Sequence, residues 1–192
     1  MIVNKIYQNL KLFIQPSEFR GRSAGYVQLW WLIQALLFNT SPQFMYKWRV
    51  FLLRLFGANI GQDVIIRPSV RVTYPWKLTI GDYAWVGDNV ELYTLGEIVI
   101  GNNAVVSQRS YICTGSHDYT KPTFDIYALK TVIEDEAWLA TDVYVAPGVT
   151  IGKGAVIGAR SSVFSDMPAG MICVGTPAKP IKPRAMDENH VS

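Results

Sequence analysis

Residues 133–163 read IEDEAWLATDVYVAPGVTIGKGAVIGARSSV, and an aliphatic residue returns at every sixth position of this stretch. The recurring residues are Ile133, Leu139, Val145, Ile151, Ile157 and Val163. An α-helix repeats every 3.6 residues and a half-buried strand every second residue, so neither produces a period of six. The period is therefore the signature of a structural repeat.

The same period extends toward the N-terminus. Aliphatic residues recur at Ile60, Ile66, Val72 and Leu78, at Ile80, Val86, Leu92 and Ile98, and at Ile100, Val106 and Ile112. Each hexad is predicted to supply one short strand and one turn, with the aliphatic residue pointing inward and Gly, Asn or Asp at the turn. Strands of successive coils then run parallel, about 4.8 Å apart. The sequence predicts an all-β solenoid over residues 58–184.

The spacing also counts the hexads in a coil. Ile133 and Ile151 start hexads 18 residues apart, so three hexads close one coil. The earlier coils start 20 residues apart, and their two extra residues are expected at corners near Pro75 and Gly96. These coils begin at Ile60, Ile80 and Ile100.

One interval is too long. Ile100 and Ile133 are 33 residues apart where one coil needs 18, so 15 residues are extruded between Ile112 and Ile133. The resulting loop, residues 113–132, contains His117, one of only two histidines in the chain. Long loops on a regular scaffold commonly carry function.

Composition narrows the class of protein. The 192 residues carry a net charge of +3 and no run of Lys and Arg, which argues against a nucleic-acid partner. Cys113 and Cys173 follow no pairing pattern and are expected to be free thiols in a reducing cytoplasm. The first residues, MIVNKIYQNLKLF, do not resemble a signal peptide. We therefore expect a cytoplasmic protein.

Residues 1–57 are predicted to form a helical appendage, and residues 185–192 a polar tail. Residues 26–38 are almost entirely apolar but fall short of the roughly twenty needed to span a bilayer. Ser41 and Pro42 are expected to start a second, amphipathic helix that runs to Gly57.

Two interpretations of these helices stay open. They cap the open end of the solenoid or pad a subunit interface, since solenoids need end caps. Alternatively, residues 26–56 make peripheral contact with the inner face of the plasma membrane, because tryptophans among basic residues suit a membrane surface. The tryptophans concerned are Trp30, Trp31 and Trp48.

The hexads, the segment TGSHDYTKPTF at residues 114–124 and the segment of residues 131–182 together resemble the hexapeptide-repeat acyltransferases. Within that family the chain is most similar to the sugar O-acetyltransferases, particularly those of colanic-acid and other exopolysaccharide pathways. The resemblance covers roughly residues 45 to 184. It implies a left-handed parallel β-helix, a homotrimer with active sites between subunits, acetyl-CoA as cosubstrate, no metal, and a sugar or lipid-linked glycan as acceptor.

His117 matches the family's catalytic histidine. An imidazole is suited to take the proton of the attacking hydroxyl near neutral pH. Asp118 is a candidate to orient the ring, but it could equally cap the loop's own turn while a backbone carbonyl holds the ring. His190 lies in the polar tail and is expected to be inert.

Further roles follow from the resemblance. Trp138 matches the tryptophan along the pantetheine arm; we place it at a turn, since Ile133 and Leu139 occupy the inward sites. Its alternative role is burial by a neighbouring subunit. The backbone N–H groups near Ala140 and Thr141 match the oxyanion donors, and Thr141 also belongs to the expected coenzyme site.

The later coils supply the remaining coenzyme positions. Residues 158–160 match the family segment against which the cofactor lies, although the repeat alone makes them corner residues. The basic residues match positions that bind the coenzyme's phosphates. These residues are Gly158, Ala159, Arg160, Lys179 and Lys182, with Arg184 close by.

The acceptor site departs from the family pattern. Galactoside and maltose acetyltransferases have an asparagine thirty residues before their histidine, where this chain has Gly87. Asp88 and Asn89 flank that position and are expected to contact the acceptor instead.

Other proteins with this kind of solenoid have different functions, and these are the alternatives to an O-acetyltransferase. A zinc carbonic anhydrase needs three histidine ligands, which two histidines in the whole chain cannot supply. An N-acyltransferase acting on an amino or nucleotide sugar would use the same histidine and the same groove. A non-catalytic scaffold would not need His117 and Trp138 together.

Overall fold

The computed structural model describes residues 6–16 and 18–185. The solenoid has three flat sides, each a parallel sheet with one strand from each coil. Sheet A contains β1 (Asn59–Ile60), β4 (Leu78–Ile80), β7 (Ile98–Ile100), β12 (Thr131–Ile133) and β15 (Thr150–Ile151). Sheet C contains β3 (Arg71–Val72), β6 (Glu91–Tyr93), β9 (Tyr111–Cys113), β14 (Tyr144–Val145) and β17 (Ser162–Val163).

Sheet B is the longest side. It contains β2 (Ile65–Ile66), β5 (Trp85–Val86), β8 (Val105–Val106), β13 (Trp138–Leu139), β16 (Val156–Ile157) and β18 (Met171–Gly175). A last strand, β19 (Ala178–Pro183), turns back and pairs antiparallel with β18. The predicted parallel solenoid of hexapeptide repeats is confirmed by this pairing.

The aliphatic residue of each hexad points into the solenoid. Ile112, Ile133, Leu139, Val145, Ile151, Ile157 and Val163 are all completely buried. Because the parallel register places each on an aliphatic residue one coil away, as with Ile133 on Ile151 and Leu139 on Ile157, the interior is one continuous column of aliphatic side chains. Burial of this column supplies the main favourable term in folding.

Side chains also stack at the corner between sheets A and B. Asp82 Oδ1 accepts a hydrogen bond from the backbone N–H of Gln62, and Asn102 Oδ1 accepts one from Asp82, each at 2.8 Å. Gly81 lies against this ladder, since a Cβ there would come within 2.7 Å of the Asn102 nitrogen. The Gly-Asp and Gly-Asn pairs of the repeat are therefore required by the close approach of successive coils.

The extra residues of the early coils lie where the spacing predicted them. A 3₁₀ turn at Pro75–Lys77 takes up one insertion, and a turn over residues 94–96 takes up another. The extruded segment is more regular than a simple loop, because β10 (Gly115–His117) and β11 (Ile126–Ala128) pair as an antiparallel hairpin. Thr114 and Thr131, both fully buried, hold the base of the hairpin through hydrogen bonds to Tyr93 and Cys113 carbonyls.

The N-terminal helices close the open end of the solenoid. Helix α1 (Ala24–Ile33) continues into a π-helical turn (Gln34–Phe38), and α2 (Tyr46–Leu55) follows. Trp30, Phe38 and Leu53 are completely buried in the same apolar cluster as the first coil, and Trp30 Nε1 donates to the Val72 carbonyl at 2.8 Å. The helices therefore cover the first coil, and Trp30 is buried there and cannot be an interfacial anchor.

The predicted start of the second helix is wrong. Ser41 is buried, and its hydroxyl donates to the Phe38 carbonyl and accepts from Arg49, so it does not cap a helix N-terminus. Residues 42–45 form a turn, and α2 begins at Tyr46. Across residues 6–16 and 18–185, the helices are too short or too polar to traverse a bilayer.

Candidate active site

His117 stands near the tip of the hairpin, held by the backbone of Phe124. Its Nδ1 lies 2.8 Å from the Phe124 carbonyl oxygen, and the two rings stack with centroids 4.1 Å apart at 7°. A carbonyl only accepts hydrogen bonds, so Nδ1 carries the proton and Nε2 has the free lone pair. Phe124 adopts φ of 52°, an unusual value for a bulky residue. His117 is thus held with a basic nitrogen free.

Asp118 does not orient the histidine. Its Oδ1 accepts hydrogen bonds from the backbone N–H of Thr120 at 3.0 Å and from the Thr120 hydroxyl. These bonds hold the pKa of the Asp118 carboxyl below its usual value. Of the two roles left open by the sequence, the structure shows the turn cap for Asp118 and the backbone carbonyl for the ring.

The turns between sheets B and C stack into a second feature, which we call the corner column: residues 87–89, 107–109, 140–142 and 158–160. The Ala140 N–H donates to the Ile157 carbonyl at 2.9 Å, so the inter-coil ladder excludes Ala140 as an oxyanion donor. The Thr141 N–H has no hydrogen-bond partner within the described part of the chain. Thr141 alone remains as the candidate donor.

Thr141 is fixed by its neighbours. Its hydroxyl donates to the Gln108 carbonyl at 3.1 Å, and Arg109 forms two hydrogen bonds with the Asp142 carboxylate at 2.8 and 2.9 Å. The Arg109 guanidinium lowers the pKa of Asp142 to about 2. The Arg109–Asp142 pair therefore joins two coils beside Thr141 and stays ionised at neutral pH.

Trp138 lies in strand β13 and points outward from sheet B, not at a turn as predicted. It is 44% exposed, and its Nε1 donates to the Ser107 hydroxyl at 3.0 Å. Because paired residues share a face of a sheet, the register of Ile172 with Lys182 and of Val174 with Lys179 puts both lysines on this outer face. Trp138, Lys179 and Lys182 thus border one surface.

Gly158, Ala159 and Arg160 form the last turn of the corner column. A Cβ at Gly158 would lie 2.6 Å from Val174 Cγ1, so the glycine lets β18 pass close to the corner. Arg160 adopts φ of 59°. The three residues are therefore corner residues, as the repeat implies. They also lie next to the surface that carries Trp138.

Asp88 and Asn89 have structural partners of their own. Asp88 accepts from Arg67 Nε and from the Ser69 hydroxyl, each at 2.9 Å. Burial raises the pKa of Asp88, but these two hydrogen bonds outweigh it and hold the pKa below its usual value. The Asn89 N–H donates to the same Ser69 hydroxyl, and its φ is 56°.

A groove of about 490 Å³ runs beside Asp88 on sheet B, and the sequence analysis missed most of its lining. Trp85, 54% exposed, stands on its floor in the same outward register as Trp138 two strands away. The groove also has polar groups, contributed by Tyr46, Arg67, Ser107 and Gln108. The sequence did contain a signal for Trp85. It comes directly before the inward residue Val86, just as Trp138 comes directly before the inward residue Leu139.

Within one chain, the histidine and the corner column lie at opposite edges of sheet C. The hairpin leaves the solenoid between sheets C and A, whereas the column lies between sheets B and C. The outer face of sheet C between them carries a row of four rings, three half-buried and the last exposed, with centroids 5.9, 6.0 and 5.7 Å apart. The rings belong to Tyr93, Tyr111, Tyr144 and Phe164.

Among residues 6–16 and 18–185, no group of three His, Cys, Asp or Glu side chains is arranged to hold a metal ion. Cys113 and Cys173 are buried free thiols, as expected. His190 lies outside the described residues.

Comparison with known proteins places this geometry in context. Residues 130–165 match the family described as bacterial transferase hexapeptide (six repeats). The chain is 61% identical over 181 residues to an Escherichia coli K12 protein assigned as the colanic acid biosynthesis acetyltransferase WcaF, covering 94% of this chain and 100% of that protein. It is 26% identical to the galactoside O-acetyltransferase of E. coli, covering 76% and 73% of the two chains.

Among solved structures, the chain resembles a hexapeptide-repeat acetyltransferase of Vibrio cholerae complexed with acetyl coenzyme A. The TM-score is 0.77 at 25% identity, covering 86% of this chain and 92% of that one.

Proposed function

Because this chain belongs to the hexapeptide-repeat acetyltransferases, we propose that it transfers the acetyl group of acetyl-CoA to a hydroxyl of a saccharide used in exopolysaccharide or cell-surface polysaccharide biosynthesis. The observation that carries the proposal is His117, with Nδ1 bonded to a carbonyl and Nε2 free to accept a proton. The names of the relatives support the acetyl group and the saccharide.

The chemistry is a direct transfer within a ternary complex. His117 Nε2 takes the proton of the acceptor hydroxyl while the oxygen attacks the thioester carbonyl. The Thr141 N–H donates to the oxyanion of the tetrahedral intermediate, a contact typically worth a factor of about 10² to 10³ in rate. When the C–S bond breaks, the imidazolium returns the proton to the departing thiolate of coenzyme A. No covalent acyl-enzyme is needed.

The proposed coenzyme site is the outer face of sheet B next to the corner column. Trp138 lines the pantetheine arm, and Gly158 and Ala159 leave the backbone accessible. Arg160, Lys179 and Lys182 supply positive charge toward the phosphates. All three cations are exposed in the structure, so a ligand can reach them.

The acceptor is proposed to occupy the groove beside Trp85. An exposed aromatic ring with hydroxyl, amide and guanidinium groups around it is suited to a saccharide, which presents apolar C–H faces and polar edges. Asp88 and Asn89 then act as supports of the groove wall through Ser69 and Arg67.

A trimer would complete the site. His117 and Thr141 lie at opposite edges of sheet C, so a second copy packed on that face would bring the histidine of one subunit to the corner column of the next. The row of tyrosines provides the contact surface, since half-buried aromatic faces are typical of subunit interfaces. Burial raises the pKa of Tyr144 to about 12, so this phenol stays neutral at physiological pH.

Peripheral membrane contact is proposed through the outer side of the end cap. Residues 24–38 hold no charged side chain, and Leu29, Leu32 and Leu36 follow one another at helical spacing with about half their surface exposed. Phe44 is the most exposed ring of the cap, at 79%. Such a surface suits the headgroup region of the inner leaflet and would bring the enzyme to a lipid-linked glycan.

The proposed function is tested by following acetyl transfer from radiolabelled acetyl-CoA to mono-, oligo- and lipid-linked saccharides. His117→Ala should abolish transfer while calorimetry still shows coenzyme A binding. Alkali-labile label in the product identifies an ester and distinguishes O- from N-acetylation. Full activity of His117→Ala would overturn the mechanism, and absence of coenzyme binding by the unaltered protein would overturn the proposed function.

The membrane proposal needs a variant that keeps the end cap folded, because Trp30 and Leu53 belong to the core. We expect Leu29→Gln/Leu32→Gln/Leu36→Gln to lower flotation with anionic liposomes while leaving the unfolding temperature nearly unchanged. Equal flotation of both proteins, or none of either, would dismiss the contact.

A further inference from the structure

Residues 9–16 run along the hairpin that carries His117. The Asn9 N–H donates to the Pro122 carbonyl at 2.8 Å, which joins this segment to the hairpin tip. A 3₁₀ turn at Leu10–Leu12 follows, with the Asn9 side chain accepting from Lys11. Ile14 and Pro16 then line a cavity of about 370 Å³ shared with the hairpin. We call residues 9–16 the strap.

Phe13 is the strap residue that reaches the histidine. Leu12 and Ile14, its neighbours, are 53% and 82% exposed, whereas Phe13 is half-buried. Its ring centroid lies 5.8 Å from that of His117, with the planes tilted by 58°. Phe124 stacks on the same imidazole. The imidazole is therefore in contact with two phenylalanine rings, one from its own hairpin and one from a segment about a hundred residues earlier in the chain.

We propose that Phe13 is a positioning residue for His117: the strap places an aromatic ring against the imidazole, fixes its tilt and shields that side of it from water. The proposal rests on the proposed role of His117 as base. The hydrogen bond to Phe124 restrains Nδ1 but leaves the ring free to rock about that contact. A second ring removes this freedom, because tilted aromatic pairs have a preferred geometry.

The consequence for catalysis concerns the chemical step. Nε2 must point at the acceptor hydroxyl when the hydroxyl attacks, and small errors in the position of a base are costly. The contacts of the strap are with the hairpin, through Asn9 on Pro122 and Phe13 on His117, and Lys179 and Lys182 of the same chain lie on the outer face of sheet B. Loss of the Phe13 ring should therefore lower kcat and leave the KM for acetyl-CoA in place.

The first experiment compares three variants of the full chain. Phe13→Ala is expected to lower kcat by about tenfold, with the KM for acetyl-CoA within about twofold of the unaltered value. Phe13→Tyr keeps the ring and should restore most of kcat. Leu12→Ala, at the exposed neighbouring position, is the matched control and should have no effect. Equal kcat in Phe13→Ala and Leu12→Ala would overturn the proposal.

The second experiment tests the contact between Phe13 and His117 without measuring activity. In a His190→Gln background, His117 is the only histidine, and diethyl pyrocarbonate acylates unprotonated imidazole with a change in ultraviolet absorbance. Phe13→Ala should speed this modification and Phe13→Tyr should not. An unchanged rate would overturn the shielding role, even if the proposed function holds. A faster rate together with full activity of His117→Ala would mean that the contact exists and that the proposed role of His117 as base has failed.

Discussion

Nδ1 of His117 and the carbonyl oxygen of Phe124 are 2.8 Å apart, and this contact determines which ring nitrogen can act as a base. We predict that the neutral imidazole is protonated at Nδ1. In ¹⁵N-labelled protein with His190→Gln, Nδ1 should have the chemical shift of a pyrrole-type nitrogen and Nε2 that of a pyridine-type nitrogen. The opposite assignment would remove the proposed base, since Nε2 would then lack a lone pair.

Trp138 and Trp85 point outward from one face of sheet B, two strands apart, and we propose the first for the coenzyme and the second for the acceptor. We predict that Trp138→Ala raises the KM for acetyl-CoA by about tenfold, because loss of one good aromatic contact weakens binding by about that factor. The acceptor KM should change little. Trp85→Ala should show the reverse pattern. Steady-state kinetics with each substrate varied in turn gives both constants.

Each tryptophan variant is the control for the other. Both rings are outside the core, at 44% and 54% exposure, so neither change should unfold the solenoid. If both variants raised the same KM, the division of sheet B into coenzyme and acceptor regions would be incorrect.

The Asp142 carboxylate gives a prediction for stability against pH. Its folded-state pKa is lowered to about 2 by Arg109, below the value of about 3.9 for an unfolded chain. The folded protein therefore binds this proton less readily, so the ion pair stabilises it fully above pH 4 and progressively less as the pH falls toward 2. The difference in unfolding temperature between the unaltered protein and Asp142→Asn should shrink over that range.

Arg109→Gln supplies the matched half of the experiment. It removes the partner that lowers the pKa most, so Asp142→Asn made in that background should produce a much smaller pH-dependent difference. An undiminished difference would assign the effect to the Thr141 hydroxyl or to Arg160, which also lower this pKa.

Much of this structure could be predicted from the period alone. It identified Ile112, Ile133 and Leu139 as inward residues, and counting along it located an insertion of fifteen residues in one coil. Those features are local, because the coil length and the side-chain alternation are properties of consecutive residues. The resemblance then identified His117 within the insertion.

The remaining features depend on contacts between distant residues. The hydrogen bond from His117 to the Phe124 carbonyl and the contact of Phe13 with the same ring have no signal in the sequence. Both depend on how the loop folds in three dimensions, and no repeat or spacing specifies that. The start of α2 at Tyr46 was mispredicted for the same reason. Ser41 resembles a helix cap in sequence, but its hydroxyl accepts a hydrogen bond from the side chain of Arg49 in α2.

Arg49 predicts where the end cap is most sensitive. It is completely buried, with its guanidinium donating to the Ile66, Pro42 and Gln43 carbonyls and to the Ser41 hydroxyl at 2.6 to 2.9 Å. Arg49→Ala would leave several buried acceptors unsatisfied and should lower the free energy of unfolding by about 3 kcal/mol or more. Denaturant unfolding measures this, with exposed Lys47→Ala as the control at about 0.5 kcal/mol or less. Equal effects would mean that water replaces the guanidinium.

The last prediction concerns the sharing of one site by two subunits. His117→Ala removes the base, and Lys179→Glu/Lys182→Glu reverses two exposed charges of the coenzyme surface, so each protein alone should be nearly inactive. If His117 of one subunit serves the corner column of the next, random trimers from equal co-expression should contain intact sites at about one quarter of positions, the product of two halves.

Co-purification with two affinity tags selects the mixed trimers. One of the three sites is intact in each of these, so their activity should be about one third of that of the unaltered protein. Co-expression of His117→Ala with His117→Asn is the control and should recover nothing. Recovery requires the two groups to come from different chains, because a site built within one chain would be defective in every subunit. Absence of recovery in trimers shown to be mixed would therefore place His117 and Lys179 in the same subunit's site and would overturn the shared site.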